Sequence, residues 1–130
     1  MKISQSLQVH EPWATLILNG EKTIETSGQA CTGEGVAPGW VLLRTGSGKA
    51  AGAAQLGQRI TYNSAAEFDT HFDRHLVPPT SRFHHSTRKR GRSYGYPVTA
   101  VVVFGSPILV TTPSGQHRLK HVDDVEVFRI

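Results

Sequence analysis

Residues 12–27 read PWATLILNGEKTIETS, and the rest of the chain takes its place around this stretch. Pro12 suits the first helical position and Gly20 the position just past the last turn. Between them Trp13, Leu16 and Ile17 follow the i, i+3, i+4 pattern of one buried face, so a short helix is expected over 12–19. A helix of this length is marginal alone and must be held by packing. Lys22, Thr23, Glu25, Thr26 and Ser27 follow at once. A rigid helix end that delivers so many polar groups is a way to build a site. The competing reading is a core helix, a glycine cap and a solvated charge pair.

Working outward, Ile3, Gln5, Leu7 and Val9 alternate with Ser4, Ser6 and Gln8, the pattern of a half-buried strand. Thr23–Thr26 is β-branched apart from Glu25 and begins a second strand, with Thr23 and Glu25 on one face and Ile24 and Thr26 on the other. Glycines make 27–39 a loop. Trp40–Thr45 is a strand, 46–49 a tight turn, and Ala50–Ile60 a strand whose small residues allow close packing. Ser64 and Glu67 form a capping-box pattern, opening a helix over 65–76 with Phe68, Phe72 and Leu76 on one face. Pro78 and Pro79 end it. Val98–Phe104 is the strongest strand and is expected to be central. Pro107 marks a bend, 108–112 a further strand, Pro113–Gln116 a turn and Val122–Ile130 a closing strand. Many short strands must hide their edges. The expectation is therefore one α+β domain over 1–130: a small mixed β-barrel or curled sheet with two flanking helices.

The chain has 130 residues, 38% of them hydrophobic and 18% charged, the composition of an ordinary globular domain. Its single cysteine, Cys31, allows no internal disulfide. No apolar run is long enough to span a membrane, and the first residues lack a signal-peptide core. A cytoplasmic protein is expected, with no membrane partner. The net charge of +4 is local: Arg82, Arg88, Lys89, Arg90 and Arg92 lie close together without an acid, while the other nine basic residues face ten acidic ones. Such a loop suits a polyanion. Arginine forks bind phosphate and stack on bases, and Tyr94 and Tyr96 add rings beside them. The plainer reading is a solvated loop.

Other motifs carry less. Gly46-Ser47-Gly48-Lys49 lacks the glycine and the hydroxyl residue of a phosphate-binding loop, with Leu43 and Ala50 in their places. It reads as a hairpin turn. His71 and His75 have i, i+4 spacing, but no third ligand is evident, and they read as two surface histidines. Neither a metal nor a cofactor is expected.

Gly20-x-Lys22-x-x-Glu25, set after a Pro-Trp helix, resembles the Gly-x-Lys-x-x-Glu-x-Arg signature of the ASCH domain, a branch of the PUA-like superfamily. Ser27 stands where that signature has arginine. The resemblance is close over about sixteen residues and loose over most of the chain. It implies a PUA-like β-barrel with a cleft between helix and barrel, and a theme of recognising RNA or modified nucleotides. It also implies two activities in relatives. One is RNA binding or cleavage. The other is hydrolysis of the amide of an acylated cytidine by a lysine, threonine and glutamate set, whose glutamate comes from later in the chain. Here Glu67 matches that glutamate only loosely, and Glu25 occupies the threonine position.

The leading expectation is a domain that binds RNA or other single-stranded nucleic acid, with weak ribonuclease activity. The alternative is an amidohydrolase acting on a modified cytidine nucleoside. Lys22, Thr23 and Glu25 are the catalytic candidates. Trp13, Lys22, Ser27, Arg82, Arg88, Lys89, Arg90, Arg92, Tyr94 and Tyr96 are the nucleic-acid contacts.

Overall fold

The computed structural model describes residues 1–110 and 119–127. In chain order its elements are β1 (Lys2–Gln8), α1 (Trp13–Leu18), β2 (Ile24–Ser27), β3 (Gly39–Arg44), β4 (Lys49–Leu56), β5 (Ile60–Tyr62), α2 (Ala65–Asp69), α3 (Phe72–His75), a 3-10 turn (His85–Thr87), β6 (Ser93–Leu109) and β7 (Leu119–Glu126). The turn expected at Pro113–Gln116 and the last residues of the closing strand lie outside the described residues.

The strands form one mixed sheet in the order β2-β6-β4-β3-β1-β7, with β5 on β6 beside β4. Among the described residues only β1 and β3 run parallel. The other pairings, β6 with β2, β4 and β5 among them, are antiparallel. The expected closure into a barrel is corrected here: the sheet path is open among the described residues, with β2 and β7 at its two ends. The strand expected at 98–104 is the spine. It runs from Ser93 to Leu109, so the bend at Pro107 does not end it, and the register with β4 shifts between Ala50 and Gly52 instead. The single strand expected over 50–60 is two, β4 and β5.

Core residues lie on both sides of the sheet. Val41 and Leu43 join α1's Ala14 and Ile17 on one side. Leu42 joins Ile3, Ala50 and Ala53 in the other cluster. Ile17 is fully buried, which contributes roughly 2 kcal/mol to holding a helix too short to persist alone. The helix can lie close because of Gly52. A Cβ there would run into Val102 O and lie 2.7 Å from Leu18 Cδ2. This is the close packing that the small residues of β4 predict.

The second helix differs most from expectation. Ser64 Oγ accepts the Glu67 N–H at 3.1 Å, so Ser64 caps the start as read, while Glu67 Oε2 accepts the N–H of Asn63 at 2.7 Å and not that of Ser64. The helix then breaks after Asp69, where Thr70 Oγ1 donates to the Glu67 carbonyl at 2.5 Å. A hydroxyl that competes for a helical carbonyl weakens continuation. The described residues thus hold three short α-helices and a 3-10 turn, not two helices. The break turns Phe72 out to 45% exposure and turns His75 fully in. No described helix is long and apolar enough to cross a membrane.

Candidate functional site

The site begins at the end of α1. Gly20 takes φ +86°, the left-handed value that glycine adopts without penalty. The chain reverses there, and Lys22 N–H donates to the Leu16 carbonyl at 2.9 Å. That reversal sends the Lys22 side chain inward, where the residue is only 1% exposed. Its ammonium donates to the His75 carbonyl, lies 3.8 Å from Glu25 Oε1, and sits 5.1 Å from the centre of the Trp13 ring. Glu25 is 4% exposed, and its Oε1 accepts the Thr26 N–H at 2.8 Å. Lysine is almost never buried this far without a partner. Here it has an anion, a carbonyl and a ring face, so the solvated-pair reading does not hold.

Around this pair lies a cavity of about 140 Å³. The end of β1 (Gln8, Val9, His10), Trp13, Lys22, Glu25, Thr26, Gly28, Val77, Phe83 and Arg88 line it. Arg88 arrives from the basic loop, and its Nη2 donates to the Phe83 carbonyl at 3.1 Å. On the far side of Arg88 a wider, open groove of about 660 Å³ is lined by Gly28, Gln29, Ala30, Thr87, Arg88, Lys89, Arg90, Arg92 and Tyr94. Gly28 and Arg88 belong to both spaces.

The loop that carries these cations is anchored at its base. His84 Nε2 lies 2.7 Å from Asp69 Oδ1, and His84 Nδ1 accepts the Ser86 N–H at 3.1 Å. His85 Nδ1 lies 2.6 Å from Ser93 Oγ. Lys89, Arg90 and Arg92 stay exposed.

The expected site residues therefore divide. Trp13, Lys22 and Glu25 meet in the cavity, while Arg88, Lys89, Arg90, Arg92 and Tyr94 line the groove. Thr23 is not in the cavity lining: its N–H donates to the Arg74 carbonyl at 2.8 Å, tying β2 to α3. Thr26 stands there instead. The alternation of an extended strand predicts opposite faces for Glu25 and Thr26, yet both line the cavity, and the Glu25 carboxylate turns back to accept the Thr26 N–H. Ser27 is buried, and its Oγ donates to the Gln29 carbonyl at 2.6 Å. Arg82 lies over the Phe83 ring at 4.7 Å and lines neither space. Tyr96 is a correction. It is 1% exposed, its hydroxyl accepts the Cys31 N–H at 2.7 Å, and burial raises its pKa, so its ring is closed to a ligand. Tyr94 reaches the groove, with Arg59 5.0 Å from its ring centre.

The histidines also depart from expectation. His75 is fully buried and stacked on Phe68 at 4.0 Å. His71 Nδ1 lies 2.7 Å from the hydroxyl of Tyr62, whose pKa burial pushes up to about 12 against the pull of Arg74. Sequence reasoning missed Gln8, His10, Val77 and Phe83 as lining residues. Only the position of Gln8 and His10 at the end of a strand that feeds the helix could have suggested them.

No protein-family model matches the chain, and no curated protein sequence matches it. Solved structures do. A serine-to-alanine variant of ASCH from Zymomonas mobilis superposes with a TM-score of 0.65 at 10% identity, over 81% of this chain and 72% of that one. A tyrosine-to-phenylalanine variant gives 0.66 at 10% identity, over 81% and 74%. The ASCH protein without a named substitution gives 0.56 at 10% identity, over 74% and 66%. A likeness at this identity is one of architecture. The open mixed sheet that carries the Gly20, Lys22 and Glu25 motif is thus the ASCH fold, as the motif's resemblance implies.

Proposed function

We propose that the chain binds single-stranded RNA, with one base in the Lys22–Glu25 cavity and the adjoining phosphates along Arg88, Lys89, Arg90 and Arg92. The observation that carries this reading is that the cavity and the basic groove share Gly28 and Arg88. At about 140 Å³ the cavity suits a single six-membered ring, since an interior space of about 150 Å³ takes up benzene. Its ammonium and carboxylate can meet the acceptors and donors of a base edge, and Trp13 and Phe83 supply ring walls. The groove holds four cations beside one another, the requirement for tracking a phosphate backbone. Weak cleavage without a metal belongs to the same reading, because Glu25 supplies a base and Lys22 a cation for developing charge.

The test is binding of a labelled oligouridylate at several salt concentrations. Neutralising Arg88, Lys89, Arg90 and Arg92 to glutamine should flatten the log–log salt slope by up to about 3, at roughly 0.7 per phosphate on a single strand. Unchanged affinity and slope would remove the loop from the reading. The same samples on a denaturing gel assign any cleavage, which must vanish in Lys22→Ala under conditions where that variant is folded.

A second reading rests on Thr26. A hydroxyl residue, a lysine and a carboxylate line one cavity, the residue types needed to hydrolyse an acylated cytidine. It requires turnover of the free acylated nucleoside by wild type, none by Thr26→Val, and indifference to the four loop substitutions.

A further inference from the structure

We propose that His75 is the positioning residue for Lys22: its ring holds the turn from which its own carbonyl grips the lysine ammonium. Lys22 Nζ donates to that carbonyl. The next residue, Leu76, has φ +61° and is the one non-glycine residue with positive φ among those described. A side chain with a Cβ adopts this conformation only against steric resistance. The turn survives because it is fastened on both sides. His75 Nδ1 accepts the Val77 N–H at 2.9 Å. Since that nitrogen is an acceptor, Nε2 carries the proton, and it donates to the Phe68 carbonyl at 2.7 Å. Phe68 stacks on one face of the ring at 4.0 Å, and Phe72 meets it edge-on at 6.2 Å. Val77, one residue beyond the strained position, itself lines the cavity. A single ring therefore ties α2, the end of α3 and the cavity wall together, and the carbonyl between them sets where the cavity's cation sits.

The arrangement works only with a neutral ring. Protonation would turn Nδ1 into a donor facing the Val77 N–H. The charged and titratable groups around the ring are Lys22 from the segment before β2, whose ammonium Glu25 of β2 faces at 3.8 Å, Asp69 from the end of α2, and His71 between the helices. His84 and His85 approach Phe68 from the basic loop. Asp69 favours the imidazolium while Lys22 and His71 oppose it. Burial is the largest effect and acts in the same direction as Lys22 and His71; it outweighs Asp69 and the hydrogen bond to the Phe68 carbonyl and lowers the His75 pKa from 6.5 to about 4, so the ring is neutral at pH 7.

The effect on binding rests on the nucleotide reading above, whereas the placement of Lys22 can be measured without any ligand. In isotopically labelled protein the buried Lys22 ammonium should give a slowly exchanging ¹H–¹⁵N signal at pH 7. As the pH falls, that signal should move with the same midpoint as the His75 ring carbons. His75→Asn offers Oδ1 to the Val77 N–H where Nδ1 stood and does not titrate. Having lost the donor to the Phe68 carbonyl, it should place Lys22 less firmly than wild type but better than His75→Phe: its Lys22 signal stays visible at pH 7 without the response to ring titration, and its oligouridylate affinity lies between the two. His75→Phe keeps a ring but no acceptor. It should lose the Lys22 signal to exchange and weaken oligouridylate binding by about tenfold, the scale of one lost hydrogen bond. A folded His75→Phe with the signal and affinity of wild type would overturn the proposal. So would a wild-type Lys22 signal that ignores the titration of His75, which decides the matter even if His75→Phe does not fold. If wild type binds no oligouridylate but Lys22 follows His75, the positioning role stands and the nucleotide reading falls.

Discussion

The two ends of the site keep their charges in opposite ways. In the cavity Lys22 and Glu25 are 1% and 4% exposed, and their desolvation is offset by a carbonyl, a backbone N–H, a ring and each other. On the rim Lys89, Arg90 and Arg92 stand in water. A buried pair costs much to break because the survivor is left charged in an apolar setting. A solvated cation is cheap to remove, and its attraction for a polyanion fades with salt. Folding stability should therefore depend on the cavity, and the salt dependence of binding on the rim. Arg88, which lines both spaces, is the hinge of this comparison.

Lys22→Ala puts the largest strain on it. The Glu25 carboxylate would remain buried without its cation, which costs about 3–5 kcal/mol. Urea unfolding at pH 7 measures this, and adding Glu25→Gln should recover most of the loss. A loss below about 1 kcal/mol is the size seen for exposed pairs. It would erase the distinction between cavity and rim.

The next effect is set by pH. The His75 pKa is depressed from 6.5 to about 4 in the folded state, so the unfolded chain binds the extra proton first as the pH falls. Stability from this residue is fully present above about pH 6.5 and is lost progressively down to about pH 4, by at most about 3 kcal/mol. Unfolding free energies of wild type and His75→Asn, measured at several pH values across that window, should diverge, with the variant showing the shallower slope. Parallel curves would mean that the His75 ring is not held neutral by the fold.

Legibility in the sequence follows a similar division. What depends on neighbours along the chain was readable from residues 12–27: the short helix, the left-handed Gly20 and the placement of Lys22 just after it. The Gly46–Lys49 turn and the Ser64 cap were readable for the same reason. What depends on distant partners was not. Phe68, Phe72 and Leu76 keep helical spacing, yet the helix breaks after Asp69, where the Thr70 hydroxyl takes up the Glu67 carbonyl, and Phe72 is left 45% exposed. Tyr96 read as part of a polar loop until β6, starting at Ser93, carried it into the core. Openness of the sheet is a matter of pairing partners, which no local pattern states. The motif position held by Ser27 suggested a missing arginine. A guanidinium nonetheless stands in the cavity, delivered by Arg88 from a different part of the chain.

The finest test of the comparison is at Gly28, where stability and binding should part. A Cβ there would lie 2.8 Å from Arg88 Nη1 and 3.0 Å from its Cζ, so Gly28→Ala must move that guanidinium. The displaced atoms are the end of a flexible side chain, and Gly28 is exposed. The fold should therefore accept the methyl group. Reduced freedom of the unfolded chain even favours the variant by about 0.4–1 kcal/mol, so urea unfolding should show stability unchanged or slightly raised. Oligouridylate binding should nonetheless weaken, with a salt slope shallower by about 0.7, the share of one phosphate contact. Loss of stability together with affinity would mean that Arg88 holds the fold and not the ligand. Unchanged affinity would separate the cavity from the groove and leave the rim as a surface charge with no base beside it.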